Sequence, residues 1–340
     1  MAKVIIGIDV HIATSNYFAI EEKSDVILGA DVFSTNTTNF IKIVSKFPKP
    51  RIIVIEQGPL IDWIRRILVN HVEKVVVVDP KRNSWIAKDP NKNDCVDAEK
   101  LAKLYKGKFI KEVIQRSDEK SDLISLVRQY HELVKQETRV KLQIGAKFRQ
   151  VGKRKRGPAA YREENINSNL LYFYNNGMKT AVEQYNEQLR LLERQINDIK
   201  EKIQSISSKF PEIEFLRKYP GIGFVGSITL SALIDTPERF STVKKIWIYC
   251  GYGLDRQSSS DKKGPPKITK RGNRFLKYVI MTAVHNNIQI CKDGKYKKWY
   301  LDEIQKGTNP KICRAKIARK LIKDIWLEWR NFNEINLKKV

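Results

Sequence analysis

The run Val4-Ile5-Ile6-Gly7-Ile8-Asp9-Val10 is apolar, rich in β-branched residues, and closes on a carboxylate. β-Branched side chains suit a pleated surface better than a helix. A strand is therefore expected over residues 3–10, with Asp9 near its end. Two further strands are expected over 15–22 and 26–34, parted by turn-prone Lys23, Ser24 and Asp25. Thr37 or Thr38 is the expected cap of a helix running through Phe47. Arg51–Glu56 (RIIVIE) reads as a buried strand that again stops on a carboxylate. Residues 60–71 have helical periodicity, and 74–79 (KVVVVD) form another buried strand, closed by Pro80. Residues 94–105 (DCVDAEKLAKLY) read as a helix whose Val96, Leu101, Ala102 and Tyr105 supply one face.

Strand, strand, strand, helix, strand, helix, strand, helix is the element order of an α/β RNase H-like fold. The acids sit where such a fold would use them. Asp9 ends the first strand, Glu56 ends the fourth, and Asp94 and Asp97 share a helix face at i and i+3. Four gathered carboxylates repel one another and do not stay ionised unaided. Hard divalent cations resolve this, and Mg²⁺ prefers oxygen ligands while keeping water and phosphate in its shell. Two such ions about 4 Å apart activate an attacking oxygen and stabilise a leaving one at a phosphodiester. The competing reading makes each acid a solvated strand cap, which suits one acid better than four at these positions. His11, which follows the first strand, reads as a surface residue or as one supporting the acids from behind, with a catalytic role the lesser alternative. Lys88 and Lys92 read equally as phosphate contacts or as a solvated loop.

The chain carries 64 Lys and Arg against 38 Asp and Glu, a net charge of +26, which points to a polyanionic partner and most often to nucleic acid. No apolar run approaches the roughly 18 residues of a membrane span. The opening MAKVIIGIDV turns polar too early for a signal peptide. Cys95, Cys250, Cys291 and Cys313 are scattered without a CxxC pair, which argues against a zinc site or a disulfide framework and for a reducing cytoplasm.

Three segments are expected: an α/β catalytic domain over 1–115, a helical coiled-coil segment with a basic loop over 116–207, and a mainly α domain over 208–340. Residues 121–148 form an amphipathic pattern. Residues 182–206 repeat Val182, Tyr185, Leu189, Leu192, Ile196, Ile199, Ile203 and Ile206 at alternating three and four, a heptad seam for each other or for a second copy. Between them Lys147, Arg149, Lys153, Arg154, Lys155 and Arg156 precede Gly157-Pro158, a phosphate-binding loop or a solvated charge run. Tyr172, Phe173 and Tyr174 read either as base-stacking or as core aromatics. The stretch 219–227, with Gly221 and Gly223, looks like a helix–hairpin–helix turn whose following helix offers N–H groups to a phosphate. Lys262, Lys263, Lys267, Lys270, Arg271, Arg274 and Lys277 flank the serines 258–260, which taken alone read as a polar loop.

The combination resembles the DEDD transposases of the insertion-sequence family IS-one-ten, the RNA-guided bridge recombinases, over nearly the whole chain. GIDV at 7–10, VIEQG at 54–58 and KNDCVDAEKLA at 92–102 match that family's RuvC-like domain. PGIG at 220–223, RF at 239–240, CGYGLDRQSS at 250–259 and ITKRGNRFLK at 268–277 match its second transposase domain. Counting back from Lys270 and forward from Gly251 both place the family's catalytic serine on Ser259. The chain departs from the family at Ser260, where glycine is usual, at Leu254, where proline is common, at Ile12, where lysine is common, and in the Gln57-Gly58-Pro59 that follows Glu56. The resemblance implies an enzyme that excises and inserts its own element by strand exchange. It implies Mg²⁺ held by Asp9, Glu56, Asp94 and Asp97, and a covalent link from Ser259 to DNA. It also implies a structured non-coding guide RNA pairing with donor and target DNA, a dimer or tetramer, and a prokaryotic, nucleoid-associated location. Two other readings remain at this point: a RuvC-like nuclease or junction resolvase that uses water, and a non-catalytic nucleic-acid scaffold.

Overall fold

The computed structural model describes residues 3–79, 94–110, 112–113, 116–154, 157–255, 258–259, 262–263, 267–269, 271–291 and 294–337. The first unit, Met1–Gln115, opens with β1 (Val4–Val10), β2 (Thr14–Glu21) and β3 (Ile27–Ser34). It continues through α1 (Thr37–Ser45), β4 (Arg51–Glu56), α2 (Ile61–Leu68), β5 (Lys74–Val78) and α3 (Asp94–Lys106). The five strands form one sheet in the order β3-β2-β1-β4-β5. β1–β2 and β2–β3 are antiparallel, whereas β1–β4 and β4–β5 are parallel. The expected cap of α1 is corrected. Asn36, not Thr37 or Thr38, is extended and accepts the Asn39 N–H on its Oδ1 at 2.8 Å, because both threonines already lie in the first turn.

The sheet is covered on both faces. Val4, Ile6, Ile8, Ile53 and Ile55 pack with Phe40, Ile64 and Leu68 of α1 and α2. Ile5, Phe18, Ile52, Val54 and Val76 pack with Ala98, Leu101 and Ala102 of α3. Each fully buried aliphatic side chain of this kind contributes roughly 1.5–3 kcal/mol. Gly7 sets the closeness of α3. A Cβ there would stand 2.1 Å from the Ala98 carbonyl oxygen and 2.8 Å from the Ala102 nitrogen, so only a glycine lets the helix backbone rest on β1.

The second unit, Arg116–Val340, begins with α4 (Asp118–Gln150), short α5 (Glu163–Asn167) and α6 (Asn176–Ser207). Ser117 caps α4 by accepting the Lys120 N–H, and Asp118 and Glu119 in the first turn favour the helix dipole. The heptad seam of α6 is used within the chain. Leu123, Ile124 and Val127 near the start of α4 share a core with Ile203 near the end of α6. Leu133, Val140, Ile144 and Phe148 share another with Val182, Leu189, Leu192 and Ile196. The two long helices therefore run antiparallel against each other.

The rest of the unit is α7 (Glu212–Arg217), α8 (Phe224–Ile234), α9 (Val243–Tyr249), β6 (Leu254–Asp255), β7 (Ser258–Ser259), β8 (Lys262–Lys263), β9 (Lys267–Ile268), α10 (Arg274–Gln289), α11 (Lys295–Gln305) and α12 (Pro310–Leu337). Trp326 and Trp329 of α12, with Leu230, Ile280 and Val284, belong to the same core as the α4–α6 end. A buried polar group ties the bundle together. Lys120 Nζ donates to Glu212 Oε1 at 2.7 Å and to Ser231 Oγ at 2.9 Å, joining α4, α7 and α8.

Candidate functional site

Side chains alternate across a strand. Asp9 therefore shares the α3-covered face with Ile5 and Gly7, and Glu56 shares it with Ile52 and Val54. β1 and β4 are parallel with Ile8 opposite Ile55, so Asp9 and Glu56 follow one another's neighbours at the same end of the sheet. Asp97 stands in α3 directly before Ala98, the residue whose carbonyl meets β1 at Gly7. Its carboxylate lies 3.9 Å from Lys100 Nζ. Asp94 opens α3, and its side chain lies outside the described residues. Among the described residues no three His, Cys, Asp or Glu side chains are gathered closely enough to hold a metal ion. Carboxylates are nonetheless hard oxygen donors, which suit a hard divalent cation rather than a soft transition metal.

The turn that follows β1 is braced. Ser15 and Thr35 hydroxyls meet at 2.7 Å, and Thr35 donates to the His11 carbonyl at 2.8 Å. His11 is exposed, and its Nε2 lies 3.2 Å from Asp9 Oδ2, so it sits against the first acid. His11 and Glu56 also line a cavity of about 230 Å³ with Gly58, Pro59 and Leu60. Asn16 was not singled out by the sequence. It pairs across the sheet with Asp9 and is 4% exposed, so a buried amide neighbours the first carboxylate. Its signal was weak because one asparagine inside a strand pattern has no periodicity of its own.

Ser258 and Ser259 form the short strand β7. β6 pairs with β9, and β7 pairs with β8, all antiparallel. Ser259 is the register partner of Lys262, and Ser258 of Lys263. Thr269 N–H donates to the Gly253 carbonyl at 2.8 Å, and Asn273 caps α10. Lys267 belongs to β9, while Arg271 and Arg274 are exposed beyond it. Ser260 and Lys270 lie outside the described residues, as do Lys88, Lys92, Lys155 and Arg156.

Lys153 and Arg154 are exposed just past the end of α4. The two turn glycines differ. A Cβ on Gly221 (φ +80°) would stand 2.6 Å from the Ala283 carbonyl, so Gly221 packs α10 against the turn. Gly223 has open space around it and precedes an α8 start with no side-chain cap. Phe224, Val225, Tyr278 and His131 line a cavity of about 410 Å³ there.

Thr229 gives its proton to the Val225 carbonyl, so His131 Nε2–H donates to Thr229 Oγ1 at 2.9 Å. Burial lowers the His131 pKa from 6.5, against a weaker opposite pull from Glu132. The unfolded chain thus binds a proton that the folded chain resists. Stability is full above about pH 6.5 and falls as pH drops through the lowered folded value. Urea unfolding across pH 7 to 5 should show this loss, and His131→Gln should flatten it.

The IS110-type DEDD transposase model matches residues 6–152, and the Transposase IS116/IS110/IS902 family model matches residues 213–300. The transposase for insertion sequence element IS1111A of Coxiella burnetii (strain RSA 493 / Nine Mile phase I) is 21% identical over 327 residues, covering 95% of this chain and 88% of that protein. The solved structure of T. thermophilus RuvC in complex with Holliday junction substrate aligns with 33% of this chain and 99% of its own, at 12% identity and a TM-score of 0.24. Transposase models thus match both units, and the enzyme class is DNA transposase. The chain belongs to the IS110 family of DEDD transposases.

Proposed function

We propose that this transposase excises and inserts its element by strand exchange, guided by a structured RNA, with an RNase H-like, RuvC-like acid site and a serine nucleophile. The observation that carries this reading is the placement of Asp9 and Glu56 at neighbouring ends of parallel strands, on the face covered by the Asp97 helix. Asp9, Glu56, Asp94 and Asp97 would hold a pair of Mg²⁺ ions, which when bound neutralise phosphate charge and polarise the reacting oxygens.

Ser259 Oγ forms a bond to phosphorus as the phosphodiester bond to the departing strand breaks. The serine proton leaves with that strand's oxygen. The phosphoserine link conserves one ester bond, so a second DNA hydroxyl can displace the serine without an external energy source. Lys262, Lys263, Lys267, Lys270, Arg271 and Arg274 follow the serine in the chain and balance phosphate charge. Lys153 to Arg156 and Gly223 supply further backbone contacts, while Gly221 shapes the turn. Acting as a dimer or tetramer brings donor and target DNA together, in a nucleoid setting suited to the +26 charge.

Purified protein with its co-purifying RNA, supplied with element-end and target DNA, tests this reading. Strand exchange is expected with Mg²⁺ and should disappear with EDTA and return on Mg²⁺ addition. The RNA should pair with flanking DNA. Exchange that persists in EDTA would remove the metal from the reading.

A further inference from the structure

The three aromatics just before α6, Tyr172, Phe173 and Tyr174, have separate fates. Phe173 is 6% exposed, and its ring meets Phe148 edge-on with centroids 5.0 Å apart. Tyr174 is 87% exposed, Leu171 76% and Tyr172 39%. Tyr174 is nevertheless held from both sides. Phe173 before it is locked into the helix-pair core, and Asn175 after it caps α6 by accepting the Gly177 N–H at 2.9 Å. A ring fixed at the backbone and left in water loses little entropy when a partner covers it.

The same end of the helix pair is cationic among the described residues: Lys147, Arg149, Lys153, Arg154 and Arg162 lie there ahead of Glu163 and Glu164. Lys153 Nζ stands 3.9 Å from the Tyr172 ring centroid, so the charge and the aromatic surface are one patch. Exposed rings beside clustered cations recognise bases that are free to stack on a phosphate backbone. A duplex offers its phosphates here but keeps its bases stacked inside. A structured RNA presents unpaired bases in its loops.

We propose that the tip of the α4–α6 pair binds an unpaired RNA loop, with Tyr174 stacking a base and Lys153 and Arg154 holding adjacent phosphates. The choice of RNA rests on the guide-RNA reading above; the stacking chemistry rests on the tip itself.

Fluorescence anisotropy on the full-length protein tests it with three probes: an RNA hairpin with an open loop, the same RNA with its loop closed into duplex, and duplex DNA. Tyr174→Ala is expected to weaken the open hairpin by about fivefold to a hundredfold, from the loss of one base stack. Both duplexes should stay within about twofold. Tyr174→Phe should bind the hairpin like the parent, because the ring remains. The side chain is exposed, so these variants keep the fold. Unchanged hairpin affinity for Tyr174→Ala, or equal weakening on all three probes, overturns the proposal. The two readings fail separately. Co-purified RNA that pairs with no flanking DNA would sink the guide while the Tyr174 effect stands. RNA-dependent exchange with no Tyr174 effect would sink the stacking site alone.

Discussion

Asp9→Asn is expected to reduce both DNA cleavage and strand exchange by about a thousandfold, the scale of losing one preorganised electrostatic group at a reacting centre. The substitution is nearly isosteric, and the Asp9 side chain is 14% exposed at a strand end, so the fold survives it. Under the proposed acid site, what is lost is one negative oxygen from a set of hard donors. Ser259→Ala separates the chemistries. With a serine nucleophile, the covalent protein–DNA species and strand exchange both vanish. With water as nucleophile, cleavage proceeds at the parent rate. Denaturing gels of labelled DNA, read for a protein-shifted band and for rejoined product, distinguish these outcomes. Parallel Ser258→Ala and Ser260→Ala variants show which serine acts. If Asp9→Asn and Asp97→Asn leave every activity unchanged, the chain is a scaffold and the acid reading falls.

Gly7→Ala is expected to lower both stability and activity. The added methyl would meet backbone atoms of Ala98 and Ala102, not the end of a flexible side chain. The helix must therefore lift from the sheet, and overpacking of this kind costs about 1–3 kcal/mol. Asp97 precedes Ala98 and moves with it, so strand exchange should fall further than stability alone explains. Thermal unfolding together with exchange assayed well below the transition separates the two losses. Ala98→Gly should not rescue the variant, because the nearest atom is the Ala98 carbonyl oxygen. A Gly7→Ala protein with parent stability and rate would show that α3 does not need this close approach.

The buried strands and the long helices were legible because their signals are periodic and local. VIIGIDV, RIIVIE and KVVVV each declare a two-sided buried strand, and α6 declares its seam by three-four spacing. The cap of α1 was misread by one or two positions because Asn36, Thr37 and Thr38 are all competent caps, and only backbone geometry chooses among them. The seam's partner was open in the same way. Apolar spacing says that a face must be covered but not by what, and the answer was α4 of the same chain. Tyr172, Phe173 and Tyr174 look alike in a sequence, yet packing buried the middle ring and left the last in water.

By itself the sequence determined which carboxylates, serines and cations the chain carries and where along its strands and helices they fall, because those follow from identity and local periodicity. The tertiary structure alone decided that Asp9 and Glu56 share a sheet face with the Asp97 helix, that Asn16 and His11 neighbour the first acid, and that Gly7 admits the helix. Those relations join residues far apart in the chain, and they are set by strand order, register and the packing of backbone against backbone.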